Sequence, residues 1–176
     1  MKVNFYYRHA GNYSIEHVFD TIARGLQEKG INVVSFFMPS KGTMPWVLLK
    51  NIFFTFKNRG IINHITGDVY YIIGGLNPSN TVLTIHDIGR FVNHIHDLKR
   101  VQLMALLWYN LPLRRAKYVT TISEFTKQQI LKFYPWAEKK IRVIHNPVDP
   151  RIQKTIKTFN STKPVILQIG TGETKI

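Results

Sequence analysis

Residues Thr81–Ile85 read Thr-Val-Leu-Thr-Ile and run directly into His86-Asp87-Ile88-Gly89. The segment lacks the polar alternation of a strand with one wet face, so it reads as a central strand of a parallel sheet covered on both sides. Parallel neighbours need crossover connections, usually helical, which predicts a doubly wound, Rossmann-like α/β fold with helices on both faces. In such sheets ligands bind outside the carboxyl ends of the strands, near a switch in strand order. His86 and Asp87 fall at that edge.

The start of the chain supplies the same unit. Lys2–Tyr7 is an apolar-aromatic run suited to a first buried strand, and residues 8–12 (Arg-His-Ala-Gly-Asn) are turn chemistry. Ser14 is placed to cap a helix and Glu16 suits its positive end, while Ile15, Val18, Phe19, Ile22, Ala23 and Leu26 recur at the three-and-four spacing of a buried stripe. Gly30 ends that helix and residues 32–38 form a second strand. The β-loop-α-β order calls for a right-handed parallel crossover and brings Gly11 and Asn12 to the edge that carries His86. One glycine in the loop fits either a tight turn or a close approach to phosphate; the three spaced glycines of a dinucleotide fingerprint are missing.

Downstream, residues 46–59 have a helical pattern with Trp46, Leu49, Ile52, Phe53 and Phe56 on one side. Burial is the commoner fate of such a helix, and a membrane-surface role is the other. Residues 61–65 form a short third strand, 69–76 an apolar patch without a readable period, and 77–80 a loop. His94 and His96 sit two apart in a polar loop with no defined third ligand, so no metal site is expected. Residues 98–109 suit a helix with Val101, Met104, Ala105 and Trp108 inward. Residues 118–122 form a strand, and Ser123 caps a helix over Glu124–Phe133 with Phe125, Ile130, Leu131 and Phe133 as its apolar positions. A strand running straight into a helix start presents unpaired N–H groups to a cleft, so Ser123 and Glu124 either cap or contact ligand. Residues 141–145 form a last strand before two prolines. The division expected is a lobe over 1–150, a basic linker over 151–163, and the first strand and loop of a second lobe, truncated, over 164–176.

Composition narrows the function. Twenty-four Lys and Arg against ten Asp and Glu give a net charge of +14, which attracts anions of any kind. Without cysteine there is no disulfide, thiolate metal site or Cys nucleophile. The first residues are too soon interrupted by Arg8 and His9 for a signal peptide, and the greasiest segment, 46–56, is too short to span a bilayer. The chain reads as cytoplasmic, with contact to the inner face of the membrane left open by residues 46–56. Basic residues are scattered over many elements rather than gathered on one face, which argues against nucleic acid.

Five ordered places resemble the amino-terminal lobe of a GT-B fold glycosyltransferase of family 4. They are Gly11 with Ser14-Ile15-Glu16, Thr84-Ile85-His86-Asp87, residues 121–127 (Thr-Ile-Ser-Glu-Phe-Thr-Lys), residues 143–149 (Val-Ile-His-Asn-Pro-Val-Asp), and residues 167–172 (Leu-Gln-Ile-Gly-Thr-Gly). The resemblance implies transfer of a sugar from a nucleotide-sugar donor to a glycan or lipid-linked acceptor, with retention, in cell-surface polysaccharide synthesis and without a cofactor. It places His86 and Asp87 at the transferred sugar. It puts Gly11 and Asn12 beside the donor diphosphate, with Ser123 and Glu124 as further binding positions and Lys175 near the diphosphate from the second lobe. Pro147 departs from the glycine usual in the link between lobes. Partners implied are the nucleotide sugar and the acceptor; the apolar residues 46–56 beside a strongly basic lobe leave an anionic membrane surface open as a further one. The alternative is a basic α/β domain that binds nucleic acid or a phosphate ligand without catalysis.

Overall fold

A computed structural model describes residues 1–9, 14–89, 102–103, 105–148 and 161–165. Six strands form one sheet: Lys2–Tyr7 (β1), Asn32–Phe37 (β2), Ile62–Ile65 (β3), Thr81–Ile85 (β4), Tyr118–Thr121 (β5) and Ile141–Val143 (β6). Every pairing is parallel and the spatial order is β2-β1-β3-β4-β5-β6. The chain therefore winds outward from β1 in both directions, and the strand order reverses between β1 and β3.

The two-residue period of β1 sorts the core. Val3, Phe5 and Tyr7 face helix Ser14–Glu28 (α1), where Phe19 is buried among them and Ile15, Val18, Ile22, Ala23 and Leu26 pack alongside, as the spacing predicts. Tyr6 points the other way, into the larger cluster with Ile65, Leu83, Ile85, Val119 and Ile141. Helix Pro45–Lys57 (α2), a π-helical turn over Ala105–Asn110, helix Leu111–Arg115 (α3) and helix Glu124–Phe133 (α4) contribute to that second layer. Burying a Leu, Ile or Phe side chain contributes roughly 1.5–3 kcal/mol, so the two layers hold the sheet from both faces.

Residues 69–76 gave no period to read, and three expectations elsewhere need correction. Residues 69–76 contain a 3₁₀ turn, Tyr70–Gly75, that is buried against α2. Gly75 lies so close to the Ile52 carbonyl that a Cβ there would collide with backbone. The helix expected over 98–109 continues past Tyr109 and, over Ala105–Asn110, is π-helical; Pro112, which has no N–H to give the carbonyl four residues back, follows at once. Trp108 is buried as expected, whereas Val101 and Met104 lie outside the described residues. In α4, Ile130 is buried but Phe125 is exposed, because Thr126 takes the inward position in the first turn.

The third correction concerns α2. Its inward face is polar: Asn51 and Thr55 are fully buried. Asn51 Nδ2 donates to the Ser40 carbonyl at 2.9 Å and to the Tyr71 hydroxyl at 2.7 Å, and its Oδ1 accepts from the Ser40 N–H at 3.2 Å. These satisfied bonds, with Leu48, Ile52 and Phe54 half-buried beside them, fix the helix rotation. Trp46, Leu49, Phe53 and Phe56 are turned to solvent.

Candidate active site

Parallel pairing puts the carboxyl ends of all six strands at one edge. His86 leaves β4 there, and its ring is bonded to the neighbouring strand: Nε2–H donates to the Thr66 carbonyl at 2.9 Å. Thr66, just past β3, in turn donates both its N–H and its hydroxyl to the Tyr6 carbonyl of β1. The ring edge also meets Phe19 of α1 at 6.0 Å between centroids. A carbonyl accepts only, so the contact assigns the neutral ring its proton on Nε2 and leaves Nδ1 as an acceptor. Burial pushes the His86 pKa below the ordinary value; the Thr66 bond and the nearby Asp87 oppose this, Arg8 adds to it, and Glu16 opposes it.

Ser123 comes to the same edge at the end of β5. Its hydroxyl oxygen accepts from the Thr126 N–H at 3.1 Å, which makes it the N-cap of α4. The Thr126 hydroxyl donates to the His86 carbonyl at 3.0 Å. The backbone of His86 is thus held from α4 while its ring is held from β3. Glu124 is exposed in the first turn of α4, and Asp87 is exposed with Oδ1 accepting from the Gly89 N–H at 2.9 Å. Gly11, Asn12 and Lys175 lie outside the described residues, as do His94 and His96. No group of three or more His, Asp or Glu that could hold a metal occurs among the described residues.

Beside this edge, between the ends of β1, β2 and β3, opens a cavity of 360 Å³. That is within the range of small-molecule sites, about 300–1,000 Å³. Arg8 and Lys41 bring cations to its wall, His9 an imidazole, Asp68 an anion, and Tyr71 and Trp108 an aromatic pair with centroids 4.8 Å apart. Trp108 Nε1 donates to the Asp68 carbonyl at 3.2 Å, which fixes the indole. Arg8 is bonded to Glu16 of α1 at 3.4 Å, and that carboxylate is buried with its second oxygen unpaired among the described residues. His86 does not line the cavity; Arg8 is the residue common to the cavity wall and to the field at the histidine. As site residues the sequence pointed to none of Thr66, Thr126, Lys41, Asp68, Tyr71 and Trp108, although Trp108 was expected to face inward and Thr126 falls within the 121–127 segment. For Thr66 a signal was present, a hydroxyl at the end of a buried strand.

A parallel sheet with a reversal of strand order, and a polar crevice at its carboxyl edge, is a Rossmann-like architecture, which the lobes of GT-B glycosyltransferases share. A crystal structure of a glycosyltransferase from Rickettsia africae ESF-5 has the same fold, with a TM-score of 0.54 and 17% identity over 82% of this chain and 42% of that one. So does Anabaena HepE in complex with UDP and glucose, with a TM-score of 0.52 and 17% identity over 84% of this chain and 45% of that one. This chain therefore spans less than half the length of either. The model of Glycosyltransferase Family 4 matches residues 61–152, more than half of the sequence, and the chain belongs to that family. No curated protein matches it.

Proposed function

We propose that this chain forms the acceptor-side lobe of a retaining glycosyltransferase. The enzyme moves a hexosyl group from a nucleotide sugar to a glycan or lipid-linked saccharide in cell-surface polysaccharide synthesis, on the cytoplasmic side. Residues 1–150 make the lobe, 151–163 the linker, and 164–176 open the lobe that binds the nucleotide. The observation that carries the reading, beyond family membership, is His86: a neutral ring fixed at the carboxyl edge of β4 by bonds from both sides, next to a cationic cavity.

Glycosyl transfer builds positive character on the sugar and negative charge on the departing diphosphate. Groups fixed before the reaction stabilise that separation most, because they need not reorganise. In this reading His86 Nδ1 accepts from a hydroxyl of the transferring sugar, and Asp87 lies beside it. The N-terminus of α4 at Ser123 and Glu124 and the loop of Gly11 and Asn12 contribute backbone donors, and Lys175 reaches the diphosphate. The cavity lined by Arg8, Lys41 and Trp108 takes the acceptor, its cations suiting a phosphate-linked one and its aromatic wall a sugar face.

Radiolabelled nucleotide sugars offered to residues 1–176, and to a chain that includes a second α/β lobe, test the proposal. Product from the two-lobed chain alone is expected, because closing both lobes around the donor aligns the reacting groups and can supply about 7–11 kcal/mol of the barrier. Equal turnover by both would refute the two-lobe reading. Anion binding without turnover by either would favour the phosphate-ligand domain instead.

A further inference from the structure

α2 is inside out: its buried face carries Asn51 and Thr55, and its exposed face carries Trp46, Leu49, Phe53 and Phe56 at 65%, 67%, 57% and 47% exposure. The stripe is continuous, since these positions follow one another at three- and four-residue steps along one side of a helix. Met44, just before the helix, and Ile61, four residues after it, are exposed as well. The rotation is not free to reverse, because Asn51 is bonded on three sides and Gly75 sits against the Ile52 carbonyl. Exposed apolar patches of this kind mark contact surfaces.

The charge around the stripe identifies what it meets. Lys57 Nζ lies over the Phe53 ring at 4.5 Å and the Arg59 guanidinium over Phe56 at 4.3 Å, with exposed Lys50 between the aromatic positions and Lys41 before the helix. No Asp or Glu occurs from residue 29 to residue 67. A two-fold contact between copies of this face would set these cations against their own equivalents with no carboxylate in the segment to answer them. An anionic bilayer answers both features: its headgroups take the cations while the aromatic side chains enter the headgroup and acyl boundary. We propose that the outward face of α2 docks the protein on an anionic lipid surface, with Trp46, Leu49, Phe53 and Phe56 inserted and Lys41, Lys50, Lys57 and Arg59 on the headgroups. Residues 40–43, which line the cavity, lead directly into α2, so docking holds that side of the cavity at the membrane. The docking stands on the helix and the cations that flank it and does not require the transfer reading.

Co-sedimentation of the purified protein with phosphatidylcholine vesicles, with and without phosphatidylglycerol, tests this. Four cations near the surface favour the anionic vesicles by roughly a hundredfold or more at low salt, and added salt reduces the preference. Trp46→Ser with Phe53→Ser, both exposed and confirmed folded by thermal melting, is expected to weaken binding by roughly tenfold or more. Lys50→Glu with Lys57→Glu should abolish the preference for anionic lipid. Equal sedimentation with both vesicle types would overturn the proposal, as would undiminished binding by the Trp46→Ser, Phe53→Ser variant. A dimer that forms without lipid and is lost in that variant would assign the face to a second copy and overturn it as well.

Discussion

The Nε2–H of His86 donates a 2.9 Å hydrogen bond to the carbonyl oxygen of Thr66, joining the end of β4 to the end of β3. That bond sets the tautomer, and burial lowers the pKa from the ordinary 6.5. The ring is then neutral at pH 7 with Nδ1 as its acceptor. An NMR titration of the His86 ring is expected to show a midpoint below 6.5, and the shifts of a neutral Nε2–H tautomer above it. A midpoint above 6.5 would mean that Asp87 and Glu16 outweigh burial.

His64 is expected to make the fold sensitive to acid. Its Nε2 is 2.7 Å from the Thr84 hydroxyl, its ring packs edge-on to Phe5 and Phe19, and burial lowers its pKa to about 4. The unfolded chain takes up this proton near pH 6.5 and the folded chain only near 4, so stability is full above pH 6.5 and falls as the pH drops toward 4. The loss reaches at most about 3 kcal/mol from His64, and His86 acts in the same sense. Urea midpoints at pH 7 and pH 5 should therefore differ by less in a His64→Gln variant than in the wild type.

Ser123 caps α4 through the Thr126 N–H. Ser123→Ala is expected to cost about 1 kcal/mol in denaturant unfolding, and Ser123→Asp to retain most of it. A Ser123→Ala protein of unchanged stability would show that the cap bond contributes nothing to the fold.

Two glycines separate conformational cost from steric need. Gly25 lies within α1 with open space where a Cβ would be, so Gly25→Ala should stabilise by about 0.5–1 kcal/mol. Gly75→Ala meets the Ile52 backbone and should destabilise by at least about 2 kcal/mol. Thermal midpoints moving in opposite directions are the expected result; a neutral Gly75→Ala would mean that the 3₁₀ turn can withdraw from α2 at no cost.

The strands were the most legible part of the sequence. β1 and β4 stand where their unalternated apolar runs placed them, and α4 begins where Ser123 foretold, because strand burial and capping are written within a few adjacent residues. The rotation of α2 was hidden. Counting apolar residues favours burying Trp46 and Phe53, yet the partners that turn Asn51 inward, Ser40 and Tyr71, lie 11 and 20 residues away. Residues 69–76 were illegible for a related reason: Gly75 is needed only because α2 passes over it. At the site, His86 and Ser123 were placed by strand ends, whereas the cavity depends on Lys41, Asp68 and Trp108 arriving from three separate connections.

The transfer reading is tested most directly by the turnover of His86→Ala in a two-lobed enzyme, measured beside the thermal midpoint of the same protein. One well-placed polar contact to a transition state is worth about a hundredfold in rate, so turnover should fall by that order while the protein remains folded. Wild-type turnover in a folded His86→Ala enzyme would contradict the account and leave the Thr66 bond as a purely structural tie.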